Sequence, residues 1–264
     1  MTGRAASSLL PVEAWPPGDI AVVSPHLDDA ALSLGAAIAA LTRSGTTVRV
    51  VTPFAGDPSS DAPPKAWDTQ SGFSSAGESA AARRVEDIHA CALLGAKPRW
   101  LPYEARGAEG VEAALRSALE DVQNVLVPAF PCAHGDHAAA AQLVLENLAT
   151  THRIGLYVDQ PYAMWRLLGE TRELGSRRRN AASLAFRGKA TAGYQQPRLP
   201  PSIRALVKQS PEWHAVPSKP RAWAAKQRSI LAYTSQLRAF SYLMPLGIAL
   251  YEWQWGGEGV AWLA

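Results

Sequence analysis

A chain of 264 residues, 47% hydrophobic and 19% charged, buries a sizeable core, and residues 1–264 are expected to form one α/β domain. The formal charge of +3 is spread along the chain without a lysine-rich tail, a zinc finger or an RNA-binding signature, which excludes nucleic acid as an expected partner. Two cysteines, Cys91 and Cys132, exclude a disulfide framework and a four-cysteine zinc site, and the absence of a signal-type segment or an 18-residue apolar run points to a cytoplasmic protein without a membrane span.

The first elements read as a βαβ unit. "DIAVVS" (19–24) has the β-branched character of a buried parallel strand. "AALSLGAAIAALTRSG" (30–45) has helical composition and a glycine stop, and "TVRVVTPF" (47–54) is strand-like again. A right-handed crossover is expected between the two strands. A loop rich in Pro, Ser, Gly and Asp (56–77) then precedes a helix over 78–96, a strand near 98–103, a helix over 110–122 and a strand over 124–130. "PCAHGDHAAAAQLVLENLAT" is a loop feeding a helix, and "IGLYVDQPY" (154–162) is strand-like. This alternation predicts a Rossmann-like, mostly parallel sheet with helices on both faces. Residues 166–200 carry many arginines with Gly and Pro, read either as a solvated basic insertion or as a lid touching an anionic or polar substrate. Residues 219–237 look helical, and the Gly-Gly in "LYEWQWGGEGVAWLA" predicts a C-terminal β-hairpin.

Ligands of open parallel sheets sit outside the carboxyl ends of the strands. Both "PHLDD" and "AHGDH" follow a strand there, so two distant loops are expected to meet at one site. His26, Asp29 and His137 then make a three-ligand N/O set suited to Zn²⁺ with an open position for water. Asp28 remains free to act as a base, and His134 points towards the leaving side. Each feature also has a plainer reading: a strand-end histidine is often structural, and an Asp-Asp pair before a helix is an N-cap with a dipole partner. A dinucleotide-binding protein would need glycines at the first strand-to-helix turn, whereas this chain has "SPHLDDAAL".

These residues resemble a known family. "SPHLDDAALSLG" (24–35) and "HGDH" (134–137) are similar to the first and second motifs of the PIG-L/LmbE-like zinc-dependent N-deacetylases. "RRVEDIHACALLG" (83–95), "YVDQPYA" (157–163) and "KQRSILAYTSQ" (226–236) resemble three further motifs in the same order. The resemblance implies one Zn²⁺ or another divalent transition metal per chain on His26, Asp29 and His137, with Asp28 as general base. His134 would stabilise the oxyanion and Asp136 would orient a histidine. It also implies a reaction: removal of an N-acetyl or other N-acyl group from an N-acetylglucosamine-type sugar in a glycoconjugate or secondary metabolite. The partner expected is therefore a small N-acetylated amino-sugar conjugate, and a homo-oligomer stays open.

Arg83 is expected to face sugar hydroxyls, or else to pair with Glu86 on an exposed helix, while Asp159 and Tyr162 are candidates for the pocket wall. Trp165, Trp253 and Trp255 would stack on a sugar or pack into the core or hairpin. His89, His152 and His214 have no partner at ligand spacing. Ala30 and Val158 stand where the family usually has glutamates, and Phe130 and Cys132 stand where some members place a tyrosine. Two alternatives therefore remain: the same metal centre acting on a non-sugar amide, and a non-catalytic sugar-binding member.

Overall fold

A computed structural model describes residues 8–167 and 197–263. Five parallel strands form the body of the sheet: β1 (Ile20–Val23), β2 (Val48–Thr52), β3 (Lys97–Trp100), β4 (Asn124–Phe130) and β5 (Arg153–Val158). Two more, β6 (His214–Val216) and β7 (Glu258–Trp262), complete a seven-stranded sheet of order β3-β2-β1-β4-β5-β7-β6, with β7 antiparallel to both neighbours.

The side-chain alternation along β1 explains why the strand is apolar throughout. Ala21 and Val23 join one hydrophobic cluster and Ile20 and Val22 the other, so both faces are covered. On one face lie α1 (Asp29–Arg43), α3 (Ala76–Leu94) and the helix Pro220–Ala232. On the other lie α4 (Val111–Leu119) and α5 (Gly135–Leu148). The short helices α2 (Ala66–Ser71) and α6 (Tyr162–Leu167) stand on the loop side.

The strand order reverses at β1, whose neighbours are β2 on one side and β4 on the other. Chain connections therefore diverge between β1 and β4 and leave a crevice at their carboxyl ends. The β1–α1 loop carries His26, Asp28 and Asp29, and the β4–α5 loop carries His134, Asp136 and His137, so both open onto that crevice.

Three expectations need correction. The Gly256-Gly257 turn does not close a hairpin: it joins the helix Met244–Trp255 to β7, which pairs with β5 and β6. The aromatic run 251–255 packs as a helix because Tyr251 and Trp255 reach the core from one side while Trp253 faces out. The region 219–237 is not one helix but two, Pro220–Ala232 and Thr234–Phe240, broken at Tyr233 with φ −83° and ψ 64°. The polar loop 56–77 contains α2, whose glycine C-cap Gly72 sits at φ +95°. The basic segment 166–200 falls mostly outside the described residues.

Candidate metal centre

The loop after β1 is shaped by Ser24. Its Oγ donates to the His26 carbonyl at 2.6 Å and accepts the Ala30 N–H at 2.9 Å, serving the N-terminus of α1. Asp28 occupies the N-cap position of that helix, yet its side chain makes no capping bond, so its carboxylate is left facing the cavity. Asp29 Oδ2 accepts the His26 backbone N–H at 2.8 Å, which pins the carboxylate beside the imidazole.

Three potential ligand atoms converge. His26 Nδ1 and His137 Nε2 are 3.2 Å apart, and Asp29 Oδ2 lies 3.4 Å from the first and 3.3 Å from the second. Zn–N and Zn–O bonds of about 2.0–2.2 Å in tetrahedral geometry separate ligand atoms by about 3.3–3.6 Å. The triangle fits such an ion without rearrangement.

Protonation strengthens the case. His137 Nδ1 lies 2.7 Å from Asp159 Oδ2, and His26 Nε2 lies 3.3 Å from Asp136 Oδ2. A carboxylate at each outer nitrogen calls for a proton there, which leaves lone pairs on the two inward nitrogens. Two lone pairs and a carboxylate then face one another, an arrangement that a cation stabilises. Without a metal, protons meet the same demand: burial works against the His137 imidazolium, but Asp159 and Asp29 outweigh it and hold its pKa up to about 9. Burial likewise opposes charge on His26, and Asp136 and Asp29 raise it nevertheless. Asp29 is lowered, because His137 and His26 overcome its burial.

Asp28 behaves oppositely. Burial and the neighbouring Asp29 charge push its carboxyl up to about 7, with Arg83 pulling the other way. A carboxylate poised near neutrality beside a cation site is suited to exchanging a proton with water.

His134 caps α5, its Nδ1 accepting the Asp136 N–H at 3.3 Å. The proton of the neutral ring is thus on Nε2, available as a donor, and burial next to His26 lowers the pKa and favours this neutral form. The Arg106 guanidinium lies over Gly135, where a Cβ would meet Arg106 Nη1 and push that exposed side chain aside. The Arg106 backbone N–H donates to Asp136 Oδ1 at 3.1 Å, so Asp136 is held beside His26. His26, His134 and Asp136 form a second cluster of metal-binding type. It reuses His26 through the nitrogen that Asp136 orients, so it competes with the arrangement described above.

The residues surround a cavity of about 500 Å³. His26, Asp28, Asp29, His134, Asp136, Arg83 and Tyr162 line it, as expected for a site built from loops. Asp159 does not: it is fully buried behind His137, so it orients that imidazole instead of forming pocket wall. Glu86 does not pair with Arg83. It accepts from Thr234 Oγ1, Ser235 N and Ser235 Oγ, tying α3 to the helix Thr234–Phe240. Trp165 lines the cavity, Trp255 is in the core, and Trp253 is exposed away from it. His89 is exposed, while His152 and His214 contact the Leu119 carbonyl and Ser8. Gln236, the last residue of the motif 226–236, lines the cavity too, as do Trp67, Asp68 and Phe240, which were not singled out in the sequence because the first two lie in a stretch that reads as loop.

Among the described residues, no helix is long and apolar enough to cross a membrane. Residues 21–148 match the protein family described as PIG-L, GlcNAc-PI de-N-acetylase. No curated protein matches the sequence. Among solved structures, the A40926 pseudoaglycone deacetylase Dbv21 is 23% identical, with a TM-score of 0.67 over 94% of this chain and 97% of that one. The zinc-inhibited form of teicoplanin deacetylase Orf2 is 22% identical, with a TM-score of 0.66 over 92% and 97%. GalB, the 4-carboxy-2-hydroxymuconate hydratase from Pseudomonas putida KT2440, is 15% identical, with a TM-score of 0.53 over 94% and 95%. At these identities the likeness establishes the fold, and one fold here carries two reaction types.

Proposed function

We propose, on the premise that this chain carries a PIG-L family domain, that the protein is a metal-dependent N-deacetylase acting on an N-acetylated amino-sugar conjugate. The single observation that carries the reading is the triangle of His26 Nδ1, Asp29 Oδ2 and His137 Nε2 with the open carboxylate of Asp28 beside it. A divalent ion held there, zinc in the first instance, supplies Lewis acidity and lowers the pKa of water.

The chain's own groups supply the rest. Asp28, with its carboxyl raised to about 7, takes the proton of the attacking water and is able to return it to the departing amine. His134 donates from Nε2 to the oxygen that gains charge as the carbonyl becomes tetrahedral, a role left to it because Phe130 and Cys132 replace a tyrosine. Asp159 and Asp136 hold the two histidines in the required tautomers. Phe54, Trp165 and Phe240 line the cavity with apolar surface, which limits the water around the reacting bond.

Incubation of metal-loaded protein with N-acetylglucosaminides of varied aglycone, with free amine and acetate both quantified, tests the reading. Stoichiometric amine and acetate are expected from at least one substrate. Sugar binding without acetate release would favour a non-catalytic binder, and release from simple amides alone would favour a non-sugar substrate.

A further inference from the structure

The helix Met244–Trp255 is apolar on both of its sides. Met244, Gly247, Ile248, Tyr251 and Trp255 are buried on the inner side, and Glu252, buried with them, pairs with Lys226 there. The outer side carries Leu246, Leu250 and Trp253, continued into the preceding turn by Tyr242 and Leu243. Positions 243, 246, 250 and 253 follow one another by three, four and three residues, so they form a single seam along the helix. Tyr242 lies beside that seam at 63% exposure and Trp253 ends it at 72%, the two most exposed large apolar side chains among the described residues.

A helix that is hydrophobic all round is ordinarily enclosed on every side, whereas this fold encloses one side only. Leu243 at 50%, Leu246 at 56% and Leu250 at 38% exposure, together with the two aromatics, leave roughly 500 Å² of apolar surface uncovered. An interface of standard size covers about 800 Å² on each partner, of which about 65% is apolar at a homodimer contact. The seam thus supplies the apolar part of one such interface.

Charge decides between occupants. Between Arg238 and Glu258 the only charged residue is Glu252, and its carboxylate is turned inward to Lys226. Helices that lie in a lipid interface carry lysines and arginines on their polar side, and this helix has neither. A second copy of the same uncharged seam meets no like-charge repulsion across a two-fold axis, where each patch contacts itself. Tryptophan and tyrosine are also the residue types that anchor such contacts. We propose that Tyr242, Leu243, Leu246, Leu250 and Trp253 form a self-association face on which two copies of this chain pair through the helix Met244–Trp255. The pairing does not depend on which substrate the cavity takes.

Sedimentation velocity of the full chain over a dilution series in the micromolar range tests the pairing. A species of about twice the 28.2 kDa chain mass is expected, giving way to single chains on dilution. Leu246→Glu and Trp253→Glu, both on the outer side, are each expected to raise the dissociation constant at least about thirtyfold at unchanged metal content and circular dichroism, the loss typical of a buried anchor. Trp223→Glu, which alters an exposed tryptophan of the helix Pro220–Ala232 off the seam, is expected to leave that constant within about threefold. Should either seam variant fail to fold, hydrogen exchange of the unaltered protein decides: peptides spanning 242–255 are expected to gain protection as concentration rises, and exchange independent of concentration overturns the pairing. A monomer at every concentration overturns it too, as does a dimer that survives both seam substitutions or that Trp223→Glu alone dissociates. Neutral and anionic phospholipid vesicles are added in a parallel run; capture of a monomer by vesicles, abolished by Trp253→Glu, would assign the seam to a lipid surface instead.

Discussion

Ser24 explains how an aspartate at a helix start stays free for chemistry. Because its hydroxyl serves the Ala30 N–H, Asp28 is relieved of capping and keeps its oxygens for the cavity. Asp28→Asn is therefore expected to leave metal bound and to lower kcat by about 10²–10⁴-fold, read from amine release beside metal analysis; full activity with metal present would remove Asp28 from its role. His137→Ala is expected to lose both metal and turnover. The histidine pKa sets a pH dependence in the metal-free protein. His137 is raised to about 9 when folded, against 6.5 for an unperturbed imidazole, so the folded state binds the proton more tightly. The stability this provides is full below about pH 6.5 and is lost as pH rises towards 9. The melting temperature of metal-free protein should fall across that window, and added zinc should reverse the trend, since metal binds the deprotonated ligands. A flat metal-free profile would count against the acid-rich cluster around His137. At this scale the convergence of His26, Asp29 and His137 was legible from two short motifs. Asp159 was legible only as a residue near the site, because a strand-end position does not say on which side of a neighbouring histidine the carboxylate lies.

Elements show what sequence periodicity conceals. Helix α1 is bent at Leu34, with φ −129° and ψ 16°, and the freed N–H groups of Ala36 and Ala37 donate to the two oxygens of Glu258 at 2.8 and 2.7 Å. Glu258 also meets Lys226 Nζ at 2.7 Å, and Lys226, fully buried, pairs with Glu252 as well. Gly35 leaves room for the lysine stem, since a Cβ there would stand 2.8 Å from Lys226 Cγ. This buried triad joins α1, the helix Pro220–Ala232, the helix Met244–Trp255 and β7. Lys226→Met would strand two carboxylates in the core, and a loss of about 3–5 kcal/mol in unfolding free energy is expected from denaturant titration; a loss under about 1 kcal/mol would show the triad to be dispensable. The lysine was visible in a motif, but its partners lie beyond a Gly-Gly turn that reads as a hairpin. Local turn chemistry suggests a hairpin there, and the packing of Tyr251 and Trp255 into the core overrides it. Tyr233 stands at the break between the two helices, and its hydroxyl donates to Asp87 Oδ1 at 2.6 Å, a long-range contact with no local signal.

The whole molecule places chemistry by topology. The alternating strands and helices made the parallel sheet legible, and the reversal of strand order at β1 brings together loops over a hundred residues apart in sequence. What remained hidden was the far wall of the cavity, where α2 and the helix Thr234–Phe240 meet through side-chain hydrogen bonds of long sequence separation. A crystal of zinc-loaded protein, measured above and below the zinc absorption edge, tests the central claim directly. One anomalous peak is expected within about 2.0–2.2 Å of His26 Nδ1, an Asp29 carboxylate oxygen and His137 Nε2, with Asp28 beside it and not bonded to it. A peak seated instead on His26 Nε2, His134 and Asp136, or none at all in protein that releases amine, would contradict it.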